Sequence, residues 1–161
     1  MKTYELRRTQ RLPMPPDQVF EFFSDARNLE AITPAFLKFH IETPSPIDMR
    51  PGALIDYRLR LFGVPINWRT EIESFDPPHA FVDRQLRGPY ALWHHTHRFT
   101  PIVDDHGEAV ATEMTDLVEY AIPLGPLGRI AHALFVRRTL EKIFDYRRDQ
   151  IGKLLAPAQA T

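Results

Sequence analysis

Apolar and polar residues alternate with a period of two along most of the chain up to Tyr120, and then change to helical spacing. Residues 3–12 read as a strand with Tyr4, Leu6 and Leu12 on one face, although Arg8 and Gln10 interrupt the alternation. Pro13-Met14-Pro15-Pro16-Asp17 breaks that strand and opens a short helix, since proline is tolerated in a first turn and Asp17 suits the positive helix end. Val19, Phe20, Phe22 and Phe23 form its apolar face. Ser24-Asp25 reads as the cap of a second short helix that reaches Ala31 and stops before Pro34.

Strand patterns then follow one another closely. Residues 36–41 read as one. Residues 53–62 alternate, with Ile55, Tyr57, Leu59 and Leu61 opposite Asp56, Arg58 and Arg60. Gly63-Val64-Pro65 turns the chain into 66–75, where Trp68, Thr70 and Ile72 share a face. After Asp76-Pro77-Pro78-His79, residues 80–87 place Phe81, Asp83 and Gln85 together. The breaker Gly88-Pro89 precedes a strand expected to end before Pro101. Trp93, His95, His97 and Phe99 lie on one of its faces, and Leu92, His94, Thr96 and Arg98 on the other. Trp93 and Phe99 bracket the first set, which assigns both imidazoles to the interior. A turn at 103–107 leads to a last strand, 108–120, with Met114, Asp116, Val118 and Tyr120 inward. Connections this short predict an antiparallel meander.

Beyond Pro123-Leu124-Gly125-Pro126 the spacing is helical to about Leu155. Val136, Leu140, Ile143, Phe144, Ile151 and Leu154 form one apolar stripe, and Arg147 lies on it. Leu127, Ile130, Ala131, Leu134 and Phe135 form a patch rotated well away from that stripe, which one straight amphipathic helix does not explain. The helix therefore bends, begins as a separate turn, or faces a pocket mouth or partner with its first part. Arg137–Glu141 and Asp149–Lys153 have the spacing of ion pairs. Residues 1–156 are expected to form one domain, and 157–161 a frayed tail.

Composition narrows the function. A formal net charge of -1 argues against a general nucleic-acid binder. No run of about 18 apolar residues is present, so no integral membrane association is expected. The opening Met1-Lys2-Thr3-Tyr4-Glu5 lacks the apolar core of a signal peptide, which makes a cytoplasmic protein the expectation. With no cysteine in the sequence there are no disulfides, thiolate metal sites or cysteine nucleophiles.

The order strand, two short helices, six strands and one long helix leaves a curved antiparallel sheet of about seven strands that the long helix must cover. This α+β arrangement resembles the helix-grip (START or SRPBCC) superfamily, and in particular its bacterial branch of polyketide cyclase/dehydrase-like ligand-binding proteins. The resemblance rests on Pro15-Pro16-Asp17-Gln18-Val19-Phe20, Ser24-Asp25-Ala26-Arg27-Asn28-Leu29, Phe81-Val82-Asp83-Arg84-Gln85 and Gly88-Pro89-Tyr90. It continues through Trp93-His94-His95-Thr96-His97-Arg98-Phe99, Asp116-Leu117-Val118-Glu119-Tyr120 and Leu124-Gly125-Pro126-Leu127-Gly128. It covers nearly the whole chain. It implies a cavity between sheet and long helix that holds a hydrophobic or aromatic small molecule or a lipid.

The residues expected to face that space are Tyr57, Trp68, Thr70, Asp83, Gln85, Trp93, His95, His97, Met114 and Asp116, with Arg147 from the helix. Aromatic walls with a few convergent polar groups are the usual composition of a small-molecule site. Across the final hairpin, His95 is expected beside Met114 and Trp93 beside Asp116, within diagonal reach of His95. Arg147 is expected to pair with Asp83 or Asp116 or to hold an anionic end of the ligand. Ligand binding without catalysis is the first reading. The second is a cyclase, aromatase or dehydrase in which His95 or His97 is the base, Asp116 orients it, and Arg147 or Tyr57 meets an oxyanion. A third is a protein interaction module, or a homodimer, using the Leu127–Phe135 patch. The bland alternative is that the inward polar groups satisfy only one another. His95-x-His97 is also a metal-ligand spacing, but a third ligand is needed, for which Asp116 or Asp83 would have to converge, and no motif supplies it, so neither a metal nor a cofactor is expected.

Overall fold

The structure is a computed structural model that describes residues 1–156; the predicted tail lies outside them. Its elements are β1 (Thr3–Leu12), α1 (Pro16–Ser24), α2 (Asn28–Ala31), a 3-10 turn (Ala35–Leu37), β2 (His40–Ile41), β3 (Leu54–Leu61), β4 (Val64–Asp76), β5 (Ala80–Arg87), β6 (Leu92–Val103) and β7 (Ala109–Ala121). The chain ends in α3 (Gly125–Ala131), a π-helical turn (His132–Val136) and α4 (Arg137–Leu154), which run on as one long helix. The seven strands form one antiparallel sheet ordered β1-β7-β6-β5-β4-β3-β2, a meander in which β1 returns to close on β7. This is the helix-grip fold.

The faces of the strands follow the period-two pattern. On β6, Trp93, His95, His97 and Phe99 are buried, and on β7 Met114, Asp116, Val118 and Tyr120 are buried. Arg8 and Gln10, which interrupt the β1 pattern, meet the helix instead of a core. Arg8 Nε donates to Asp145 Oδ1 at 2.9 Å, and Gln10 Nε2 to the Arg148 carbonyl at 2.8 Å.

Several expectations need correction. Residues 36–41 are not a strand: a 3-10 turn gives way to Lys38 in the left-handed region (φ 45°), and only His40 and Ile41 pair with β3. Pro101 does not end β6, because β5 has already stopped where it would need a donor, so its missing N–H costs no ladder bond. The β6–β7 register is also displaced: His95 faces Val118, His97 faces Asp116, Trp93 faces Tyr120 and Phe99 faces Met114. The loop lies later than expected, at Asp104–Glu108, where the Asp104 carboxylate accepts from the N–H groups of His106 and Glu108. A bulge between Ile102 and Val103 adds to the displacement. The displacement is an even number of residues, so every side chain keeps its face.

The long helix buries only one of its two apolar faces, and a π-helical turn separates α3 from α4. The face carrying Leu127 and Ile130 on α3 stays in solvent, and the face carrying Leu140, Phe144 and Ile151 on α4 is buried. The turn also carries His132 inward, where it stacks on Tyr4 at 3.5 Å and bonds the Tyr120 hydroxyl at 2.9 Å. Burial holds His132 below the usual imidazole range, and Arg137 and Lys2 add to the effect. On α4, Leu140, Phe144 and Ile151 are buried as expected. Leu154 is exposed, and Leu155 just beyond the helix is buried in its place. Arg137 pairs with Glu141, whereas Asp149 pairs with Arg148 rather than Lys153. Leu127, Ile130, Leu134 and Phe135 are all exposed.

Candidate functional site

Two apolar clusters divide the interior. One gathers Tyr57, Trp68, Trp93, Tyr120, Leu140 and Phe144; the other gathers Phe20, Phe81, Phe99, Met114 and Ile151 around α1. Along β6 the side chains pass from the first cluster at Trp93 to the second at Phe99. His95 and His97 sit between them, so the imidazoles form a polar seam in an apolar interior.

The seam holds four ionisable groups. His95 Nε2 hydrogen-bonds Asp116 Oδ1 at 3.0 Å, and His97 Nε2 hydrogen-bonds Asp83 Oδ2 at 3.1 Å. The remaining ring nitrogens are close to carboxylates without good hydrogen-bond alignment: His97 Nδ1 is 2.9 Å from Asp116 Oδ1 and His95 Nδ1 is 3.5 Å from Asp83 Oδ2. Aromatic groups clamp the rings in place. Phe81 stacks on His97 at 4.1 Å, and Phe144 of α4 meets His95 edge-on at 5.5 Å.

Burial opposes charge on all four groups, and the outcome depends on each group's partners. Burial pushes the Asp83 and Asp116 carboxyls up, but their contacts with the imidazoles outweigh it, and both titrate below the usual carboxylate range. Burial and the neighbouring His97 hold His95 below the usual imidazole range. His97 feels the same burial, but its contacts with Asp116 and Asp83 prevail and raise it. The shifts thus favour the charged form at Asp83, Asp116 and His97 and the neutral ring at His95.

A cavity of about 160 Å³ lies between the sheet and α4. Eight of the expected residues line it: Tyr57, Trp68, Thr70, Asp83, Trp93, His95, His97 and Arg147. Three do not. Gln85 holds the loop before β6 instead, its amide bonding both the carbonyl and the N–H of Tyr90. Met114 packs against Phe99 in the α1 cluster, and Asp116 lies behind the two imidazoles. The sequence reading missed the cavity walls supplied by Phe23 and Leu29 of the first helices, by Tyr90, and by Leu140 and Phe144 of α4. The aromatic run Phe20–Phe23 was the available signal for the helical wall, since it leaves aromatic groups on more than one side of α1.

The cavity's polar groups differ in how committed they are. Trp68 Nε1 donates to Thr70 Oγ1 at 3.1 Å, and the Thr70 and Tyr57 hydroxyls share a 2.6 Å hydrogen bond. Burial pushes the Tyr57 phenol up, and the Asp83 charge adds to it, so this hydroxyl stays protonated. Tyr57→Phe removes one of these neutral hydrogen bonds while Thr70 keeps Trp68. A stability loss of about 1 kcal/mol is expected in urea unfolding. Arg147 forms no ion pair with Asp83 or Asp116 among the described residues, contrary to that expectation: its guanidinium lies over the Phe144 ring at 4.9 Å, and its buried Nε has no partner.

Asp83, His95 and His97 each offer a ligand atom within 4.8 Å of the others.

Solved structures share this fold. A Thermus thermophilus protein is 20% identical, with 98% of this chain and 100% of that one covered at a TM-score of 0.65. A Chromobacterium violaceum protein is 16% identical, with 95% and 97% covered at 0.68. The Streptomyces aromatase/cyclase Zhui is 14% identical, with 99% and 100% covered at 0.66. No curated protein matches the sequence. A family described as polyketide cyclase/dehydrase and lipid transport matches residues 3–155, nearly the whole chain, and the chain belongs to that family.

Proposed function

We propose that this chain binds a small, largely hydrophobic molecule, with one ring or a similar bulk, in the cavity between the sheet and α4. The observation that carries the reading is the cavity itself, about 160 Å³ with aromatic walls and a few polar groups among them. An apolar cavity of about 150 Å³ accommodates benzene, whereas drug-sized ligands occupy pockets of about 300–1,000 Å³. One ring therefore fits without rearrangement, and a longer chain requires α4 or the α1–α2 segment to move. Arg147 Nε, buried and unpartnered, suits a carboxylate, phenolate or enolate oxygen on the ligand.

The cyclase or dehydrase reading uses the same cavity. It is favoured by one feature, the neutral His95 ring facing the cavity with Asp116 behind it, an arrangement suited to accepting a proton. Tyr57 serves that reading as an oxyanion partner where Thr70 donates in their shared hydrogen bond, which leaves the phenol proton free.

Intrinsic fluorescence tests the binding reading directly, because both tryptophans of the chain line the cavity. Titration with toluene and with phenylacetate is expected to give a saturable change for each. Arg147→Gln is expected to weaken phenylacetate by about tenfold or more, the value of a charge-assisted hydrogen bond, and to leave toluene nearly unaffected. Absence of a saturable response to either probe removes the reading.

A further inference from the structure

We infer that Asp83, His95 and His97 form a binding site for one divalent transition-metal ion on the sheet wall of the cavity. The sequence supplied two imidazoles at i,i+2 and left the third ligand open between Asp83 and Asp116; the fold brings in Asp83 from β5. Asp83 stands directly opposite His95 in the β5–β6 ladder, which brings its carboxylate beside both rings.

The spacing suits an ion. Asp83 Oδ2 is 3.5 Å from His95 Nδ1 and 3.1 Å from His97 Nε2. A tetrahedral ion with bonds of about 2.1 Å sets its ligand atoms about 3.4 Å apart. His95 Nδ1 is the more telling atom, since 3.5 Å is long for a hydrogen bond and its other nitrogen is already bonded to Asp116. A ring that gives its Nε2 proton to a carboxylate presents the lone pair of Nδ1, and here that lone pair faces a second carboxylate. A cation between them converts that repulsion into two bonds. Asp116 then occupies the place of the outer carboxylate that orients a metal-bound histidine.

All three residues line the cavity, so an ion reaches the site without opening the sheet and keeps a coordination position toward the cavity. Two imidazoles and one carboxylate suit zinc or ferrous iron better than magnesium or calcium, which prefer oxygen ligands alone. On binding, the ion replaces the Nε2 proton of His97. That proton leaves to solvent, and Nδ1–H remains facing Asp116 Oδ1. The inference does not rest on the organic ligand proposed above, and its test uses none.

Chelator-treated protein is titrated with zinc by calorimetry and with cobalt(II) by visible absorption, which reports inner-sphere nitrogen ligation. One equivalent is expected to bind, with cobalt bands of a four- or five-coordinate site. Asp83→Asn is expected to weaken both metals by more than the 10–100-fold, roughly, that loss of an outer partner costs. His94→Gln is expected to change nothing. His94 lies on the opposite face of β6 near Glu73 and Glu119, and so controls for surface binding. If Asp83→Asn fails to fold, ring nitrogen shifts in the wild type decide: zinc is expected to move His95 Nδ1 and His97 Nε2 and to leave His94 and His106 in place. Non-saturable binding, binding that survives in folded Asp83→Asn, or binding lost with His94→Gln each overturns the inference. Any of them leaves the toluene and phenylacetate result standing on its own.

Discussion

Asp116→Ala is expected to lower the free energy of unfolding by about 3–5 kcal/mol, the cost of breaking a buried ionic network by deleting one partner. Asp116 is the shared acceptor of the seam, with both imidazoles within 3.0 Å of its Oδ1. Without it, His95 loses its hydrogen bond and His97 loses one of the two charges that raise it. Urea denaturation at neutral pH measures the loss, and a change below about 1 kcal/mol, the size of an ordinary hydrogen bond, sinks the idea.

The pH profile carries the same logic with definite signs. Asp83 and Asp116 lie below their unfolded value of 3.8, so their contribution is complete above that pH and is lost as the pH falls through the lower folded values. His95 lies below 6.5, so its contribution is present above 6.5 and is lost as the pH falls. His97 lies above 6.5, so its contribution is complete below 6.5 and is lost as the pH rises through its folded value. The two histidine limbs oppose each other, and the wild-type seam is expected to be most stabilising near pH 6.5. Asp116→Ala flattens the alkaline limb, because His97 no longer holds its proton as strongly.

The second large effect belongs to Phe144. This ring joins the sheet to α4: it is 3% exposed, meets His95 edge-on and carries the Arg147 guanidinium over its face. Phe144→Ala is expected to cost about 3–5 kcal/mol through lost burial and a residual void. Because Phe144 lines the cavity, that void enlarges the binding space rather than forming a separate hole. Added toluene is therefore expected to restore part of the loss, in proportion to RT ln(1 + [L]/Kd), and to restore more of it than it adds to the wild type. Thermal unfolding with and without toluene reads both terms. Equal shifts in the two proteins show that residue 144 does not bound the ligand space.

The strand faces were legible in the sequence because period-two alternation survives any error in element length or pairing. The strand at 80–87 was legible to its ends because Pro77-Pro78 and Gly88-Pro89 fence it on both sides. Residues 36–41 have a strand-like mixture, but the backbone at Lys38 is left-handed, which residue type does not announce. Hairpin register was not legible, since one bulge and a later loop displace the pairing while preserving every face. The sequence placed His95, His97, Asp83 and Asp116 inside together, and the network among them required that register. The conflict between the two helix faces was visible; that the first face stays exposed, and that His132 of the π-helical turn meets Tyr4 and Tyr120, no local pattern encodes.

The closure of β1 on β7 joins residues made far apart in time. Thr9 and Thr115, paired across that ladder, are 106 positions apart, whereas β3 to β7 pair with their immediate neighbours in the chain. During synthesis the first strand waits, with Leu6 and Leu12 uncovered, until its partner emerges last of the seven. Pairing across so long a loop is entropically slow, so the meander is expected to assemble before its rim closes. The edge of β7 is then the surface on which a nascent chain is most open to pairing with another copy of itself.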